Sequence, residues 1–326
     1  FHEFQKMQLD PMPARKLNGV PEVASRNYDW GPWPVDETQT PDARAAEYGV
    51  RFLEQQHDRP FFLAIGLFRP HMPFHAPPKY FSRYPLTALR VPEIFENDLA
   101  DVPSGGLTLW AKGRHFWDAM MAGEARRPGT WRESVRAYQA SCTFADHQLG
   151  RVLTALAESP HSDNTVIVVW SDHGYHLGEK DHWEKFALWE KTTHVPLVVV
   201  APGVIEPGSR IGQPVTLLDL YPTLLELAGL PRRAELDGES LAPLLRDPAT
   251  RRDQPAVMTY LPGNHAVRTE RWRYIRYADG SQELYDHERD PHEWNNVVDA
   301  HPEVADELRR RLPKQSAPPV QPRRRN

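Results

Sequence analysis

A single cysteine, Cys142, excludes an internal disulfide framework, and no run of the 326 residues approaches the ~20 consecutive apolar positions a membrane helix needs. Strong charge of one sign is missing too. The net charge is -5 and Lys and Arg are dispersed except at Arg323–Arg325, so no basic surface for nucleic acid is implied. The opening FHEFQKMQLD has neither an initiating methionine nor the basic start and apolar run of a signal peptide, so the chain is expected to begin in the middle of something, and its compartment stays open. Internal repeats are absent. What remains is a globular chain whose 40% hydrophobic content suffices for a sizeable core.

Proline, by contrast, is plentiful: its 32 residues are about double the usual share and fall largely in 10–41 and 69–103. Those stretches, with 103–130, read as irregular loops shaping a pocket. Between them, Thr40-Pro41 opens an amphipathic stretch that predicts a helix over 41–56. FFLAIG at 61–66 predicts a short buried strand, followed by RPHMPF, in which Pro70 and Pro73 bar regular structure and present His71 just past the strand end. Thr130 and Glu133 form a capping-box pattern before a long helix over 131–158, whose buried stripe includes Cys142, a small core residue rather than a nucleophile.

Strands follow at 165–170 and 195–201, and a helix from Asp219 to near Gly229. This alternation predicts an α/β fold with a mainly parallel sheet covered by helices on both faces. Beyond about 255, AVMTY, HAVRT, WRYIRY and ELYD with an Asp279-Gly280 turn predict a small C-terminal antiparallel sheet, then a helix near 302–312. The expected division is 1–254 as the main domain, 255–312 as a small subdomain and 313–326 as a disordered tail.

The chemistry concentrates after the strand in VIVVWSDHGYHLG, where Asp172 and His173 stand at a carboxyl end, the place where open α/β sheets bind ligands. A plain turn, with Gly174 at positive φ, would account for Asp-His-Gly alone. The next residues add His176, Glu179, Lys180, Asp181, His182, Glu184, Lys185, Lys191 and His194, a density of titratable groups that core packing does not require.

Three ordered segments, SDHGYHLGEKDHWEKFALWEKTTHVPLVVVAPG, FFLAIGLFRPHMPFHAPPKYFSRYP and AVRTERWRYIRYADGSQELYDHERDPHEWNN, resemble type I sulfatases of the alkaline phosphatase-like superfamily, most of all the iduronate-2-sulfatase branch. By that resemblance Asp172 and His173 bind a calcium ion, Lys185 contacts the sulfate, His71 assists the leaving group, and Tyr175 and His176 line the substrate pocket. Ligand chemistry alone pulls elsewhere, because an Asp–His pair suits a transition metal while calcium prefers oxygen. The resemblance also implies a formylglycine nucleophile made within a C-x-P-x-R or C-x-A-x-R motif. The only cysteine here reads Cys142-Thr143-Phe144-Ala145-Asp146, so this chain holds no nucleophile, and the paired acidic ligands of the family's upstream strand are likewise not found before residue 40.

The function so implied is hydrolysis of sulfate esters of small molecules or sulfated sugars, with this chain a fragment inactive by itself. A phosphoryl or phosphonate hydrolase of the same superfamily, or a non-catalytic binding protein, are the alternatives.

Overall fold

The computed structural model describes residues 11–314; most of the expected tail, 315–326, lies outside the described residues. The chain divides into two compact units, one comprising residues up to Pro92 with Phe116–Thr165, the other Glu93–His115 with Val166 onward.

In the first unit, β1 (Trp30–Pro32) is followed by α1 (Pro41–Leu53), which starts as its sequence requires: the Thr40 hydroxyl accepts from the Ala43 N–H at 3.3 Å, and Pro41 occupies the first turn. β2 (Phe74–Ala76) pairs with β1 in parallel, and α2 (Pro78–Phe81) follows directly. Within β2 the buried His75 Nε2–H donates to the Asp29 carboxylate at 2.8 Å, burial holding the imidazole pKa below its ordinary value. Residues 61–66 form no strand. The segment is anchored instead by the buried Asp42 carboxylate, which accepts from the Phe68 and Arg69 N–H groups at 2.7 and 3.0 Å, while Phe62 is 77% exposed.

The stretch 103–130, read as a loop, is mostly helical: α3 runs from Ser104 to Arg126, its residues to His115 belonging to the second unit and the rest to the first. Its glycines, poor helix formers, obscured it. Tertiary packing requires them: a Cβ on Gly113 would stand 2.3 Å from His182 Cε1 and 2.4 Å from the Trp183 carbonyl oxygen. α4 (Thr130–Ala157) matches the expected long helix, but not its expected start. Gly129, at φ 97°, is the N-cap, and the Glu124 carboxylate satisfies the helix end by accepting from the N–H groups of Gly129 (2.8 Å) and Trp131 (2.9 Å). Burial pushes the Cys142 thiol on this helix up to about 11, which keeps it protonated and unreactive at neutral pH.

In the second unit, β3 (Ile167–Trp170) ends at the Asp-His-Gly segment, and a small hairpin follows, β4 (His176–Leu177) against β5 (Trp183–Glu184). Then come α5 (Glu190–Thr193), β6 (Leu197–Val200), α6 (Leu220–Leu227) and α7 (Ala242–Arg246). β3 and β6, expected in a parallel sheet, pair antiparallel, with Ile167 opposite Val200 and Val169 opposite Val198. Parallel neighbours need a crossover that carries the chain back along the sheet; residues 171–196 hold only the hairpin and the four-residue α5, and return directly. Among the described residues β1–β2 is the one parallel pair.

The C-terminal meander forms as its short strand-type runs predict: β7 (Ala256–Thr259), β8 (His265–Arg268), β9 (Trp272–Arg276) and β10 (Gln282–Asp286), neighbours in that order, followed by α8 (Pro302–Arg309). Both its faces are buried. Ala266, Ile275 and Tyr285 pack with Leu109, Leu188 and Trp189, while Val267, Tyr274 and Leu284 pack with Ala305 and Leu308 of α8. No helix among the described residues is long and apolar enough to cross a membrane.

Candidate active site

The turn after β3 is held by α5. The Gly174 N–H donates to the Thr192 carbonyl and the Tyr175 N–H to the Lys191 carbonyl, both at 2.8 Å. Gly174 is not at positive φ; it is required for closeness, since a Cβ there would lie 2.1 Å from the Lys191 carbonyl oxygen. Gly174→Ala is therefore expected to cost about 1–3 kcal/mol, because backbone rather than a movable side chain opposes the methyl group. A urea-midpoint measurement checks this.

This tether presents Asp172 and His173 side by side. The His173 Nδ1–H donates to the Gly174 carbonyl at 2.7 Å, which fixes the tautomer and leaves a lone pair on Nε2. Nε2 lies 3.7 Å from Asp172 Oδ2, and the Asp172 side chain is 84% exposed. Two ligands of one calcium ion, each at ~2.3–2.6 Å, stand roughly 3.3–3.7 Å apart when they meet it at a right angle. The pair thus fits a cation as part of a larger oxygen shell, with one nitrogen donor that calcium tolerates less readily than a transition metal would.

Lys185 follows β5 at a bend closed by the Ala187 N–H to the Lys185 carbonyl at 2.9 Å. Its neighbour Glu184 has φ 83° and a carboxyl pushed up to about 7 by burial, with the Lys185 charge pulling the other way. Tyr175 is half-buried, edge-on to Trp183 at 6.1 Å. His176, expected to line a pocket, is 1% exposed and packs edge-on against His182 (5.0 Å) and Trp189 (5.8 Å). Its imidazole is a packing element of the hairpin, kept neutral by burial first and by the nearby His182 second.

His71 belongs to the first unit. It sits in a turn flanked by two cis-proline peptides, with its N–H bonded to the Phe68 carbonyl at 2.9 Å and its ring 4.8 Å from that of Phe68. The Nδ1–H donates to the Met72 carbonyl at 2.6 Å, so Nε2 is the nitrogen that can take up or release a proton.

One cluster among the described residues groups three side chains of metal-ligating type, Glu190, His287 and Glu293, and reading the sequence missed it. It is an ion-pair hub. Arg268 Nε contacts Glu190 at 3.1 Å, Arg273 contacts both Glu190 and Glu293, and His287 Nε2 donates to Glu293 at 2.9 Å. Two guanidinium groups already neutralise the two carboxylates, which leaves no net negative charge to attract a cation. A pattern of Arg268 and Arg273 at facing positions of adjacent strands was its only trace in the sequence.

Comparison with known proteins agrees with this architecture. The fold is the α/β fold of solved sulfatases and phosphonate monoester hydrolases. A phosphonate monoester hydrolase from Silicibacter pomeroyi superposes with TM-score 0.73 at 23% identity, covering 90% of this chain and 65% of that one. BT4656, solved with its substrate D-glucosamine-2-N,6-O-disulfate, gives TM-score 0.65 at 21% identity over 82% of this chain and 68% of the other.

The chain belongs to the sulfatase family: the sulfatase family model matches residues 6–230, and that for the N-sulphoglucosamine sulphohydrolase C-terminal region matches 178–317. A sulfatase of Formosa agariphila is 42% identical over 271 residues, which cover 83% of this chain and 52% of the relative. The chain spans about half the length of the curated relatives it matches.

Proposed function

We propose that this chain supplies the metal-binding, charge-stabilising and proton-transferring groups of a sulfuric ester hydrolase that acts on sulfated sugars, the attacking nucleophile coming from residues outside this sequence. The observation that carries the reading is the Asp172–His173 pair, with His173 Nε2 left as an acceptor 3.7 Å from an exposed carboxylate. The sugar substrate is supported by the glucosamine disulfate bound to BT4656. A need for further chain is supported by the β3–β6 pair, whose apolar residues Val198 and Val200 are 53% and 44% exposed; a two-stranded sheet is marginal by itself and gains from added strands. The iduronate-2-sulfatase-like subtype rests on the sequence resemblance.

Sulfate ester hydrolysis places negative charge on the sulfuryl oxygens and on the departing alkoxide. Lys185 supplies a positive charge for the former, and Tyr175, two residues beyond His173, is a substrate contact. His71, anchored through Nδ1, delivers a proton from Nε2 to the alkoxide. Asp172 and His173 would hold a calcium ion, which when bound adds Lewis-acid charge at the sulfuryl group. In the full-length protein, calcium is expected to raise the melting temperature and Asp172→Ala to abolish that rise. An unchanged calcium response in the variant removes Asp172 from the metal site.

A second reading, phosphonate ester hydrolysis, is favoured by the similarity to the Silicibacter pomeroyi enzyme. The same groups serve any tetrahedral oxyanion. Comparing turnover of an aryl sulfate with that of the matching aryl phosphonate monoester decides between them, the faster substrate naming the reaction.

A further inference from the structure

The hub around Glu190 lies in the second unit and is buried: Arg273, Glu293 and His287 side chains are 1%, 2% and 7% exposed. Burying this many charges is costly unless each is paired, and here each is. The Glu190 carboxyl lies well below the usual carboxylate range and that of Glu293 is lowered: burial pushes both up, but His194 and the two arginines for the former, and Arg273 and His287 for the latter, outweigh it. Arg268 and Arg273 face each other across β8 and β9, a like-charge pair that is tenable because Glu190 contacts both guanidinium groups.

The hub is connected to the loop that bears Asp172 and His173. Glu190 begins α5, and its backbone N–H donates to Glu293 Oε2 at 2.8 Å. Arg273 Nη1 also donates to the Leu188 carbonyl at 3.0 Å, three residues beyond Lys185. One and two residues after Glu190, the Lys191 and Thr192 carbonyls receive the Tyr175 and Gly174 N–H groups. On the other side of the hairpin, the Lys180 ammonium, 2% exposed and at φ 54°, donates to Asp98 Oδ1 at 2.8 Å and to the Glu293 carbonyl. Glu293 therefore fixes α5 through its side chain and the β4–β5 hairpin through its backbone.

We propose that the Glu190–Arg273–Glu293 hub is a positioning device through which the C-terminal meander sets the placement of Asp172 and His173. None of the three hub residues is a catalytic residue; they act through the α5 carbonyls. The inference rests on the reading of Asp172 and His173 given above only for its functional meaning, since the mechanical linkage can be read without metal or substrate.

The test is hydrogen exchange by mass spectrometry on the full chain, comparing wild type with Glu190→Gln and with the milder Arg268→Lys. Peptides covering 171–177 are expected to exchange at least tenfold faster in Glu190→Gln and several-fold faster in Arg268→Lys, while α4 peptides keep their wild-type rates. Exchange that rises equally in α4 marks global destabilisation, and exchange at 171–177 that stays at the wild-type rate marks a rigid loop; either result in Arg268→Lys, which keeps the charge, overturns the proposal. Repeating the wild-type measurement with added calcium separates the two readings. If calcium leaves the 171–177 rates unchanged, the metal assignment falls, and the response to Glu190→Gln still decides the linkage.

Discussion

Replacing Lys185 by alanine in the full-length protein is expected to lower kcat/KM for a sulfate ester by about 10²–10³, the usual cost of removing one charge-stabilising group from an anionic transition state. The size of the effect follows from where the ammonium sits. Its neighbour Glu184 is sufficiently buried to have a carboxyl at about 7, so water does not fully screen charges at this bend. The bend itself is closed by the Ala187 N–H bond to the Lys185 carbonyl, and Leu188 and Trp189 follow it into the core, so the backbone is held whatever side chain stands at 185. Stability should accordingly change little, and most of the loss should fall in kcat. Lys185→Arg keeps the charge but exchanges a compact ammonium for a planar fork, and should recover only part of the rate. Near-normal turnover in Lys185→Ala would remove this residue from the site.

The second large effect is on stability in acid. Burial lowers the His182 pKa to about 4, with only the Trp110 backbone working against it, and His176 at its edge is also lowered, by burial and by His182. An unfolded histidine titrates near 6.5, so the folded pKa is depressed. The stability that neutral His182 contributes is fully present above about pH 6.5 and is lost as pH falls from there toward 4, because the unfolded chain then binds the proton first. The full loss is about 3 kcal/mol, of which about 2 kcal/mol is gone by pH 5. Urea midpoints for wild type and His182→Phe between pH 7.5 and 4.5 measure this. The variant should lose less stability across the range, and parallel curves would show that His182 is not the group responsible. The hairpin that this residue anchors, by packing under Gly113 and against Trp189, precedes Lys185 directly, so in the full-length protein any sulfate ester turnover is expected to fall in acid as the hairpin melts.

Local rules, acting over a few residues, determined much of this protein. Thr40-Pro41 starts a helix because a hydroxyl acceptor and a residue without an N–H suit its first turn. Short strand-forming runs on either side of Asp279-Gly280 give the meander, since a turn dipeptide between β-type residues favours a hairpin. The strand that ends at Asp172-His173 is legible from its apolar run, whereas Gly174, read as a turn residue at positive φ, is needed instead for the close approach of α5. Partner choice over long distances was settled only in the tertiary structure. Direction of the β3–β6 pairing depends on the path of the intervening chain, which no periodicity encodes. The glycines of α3 lower its helical propensity, and their purpose is visible only where His182 and the Trp183 carbonyl press against Gly113. Arg273, Glu190 and Glu293 read as surface charges one at a time, because a charged residue is buried only when its counter-charge arrives from elsewhere. For Arg273 those counter-charges stand 83 residues before it, at Glu190, and 20 after it, at Glu293, and folding alone brings the three together.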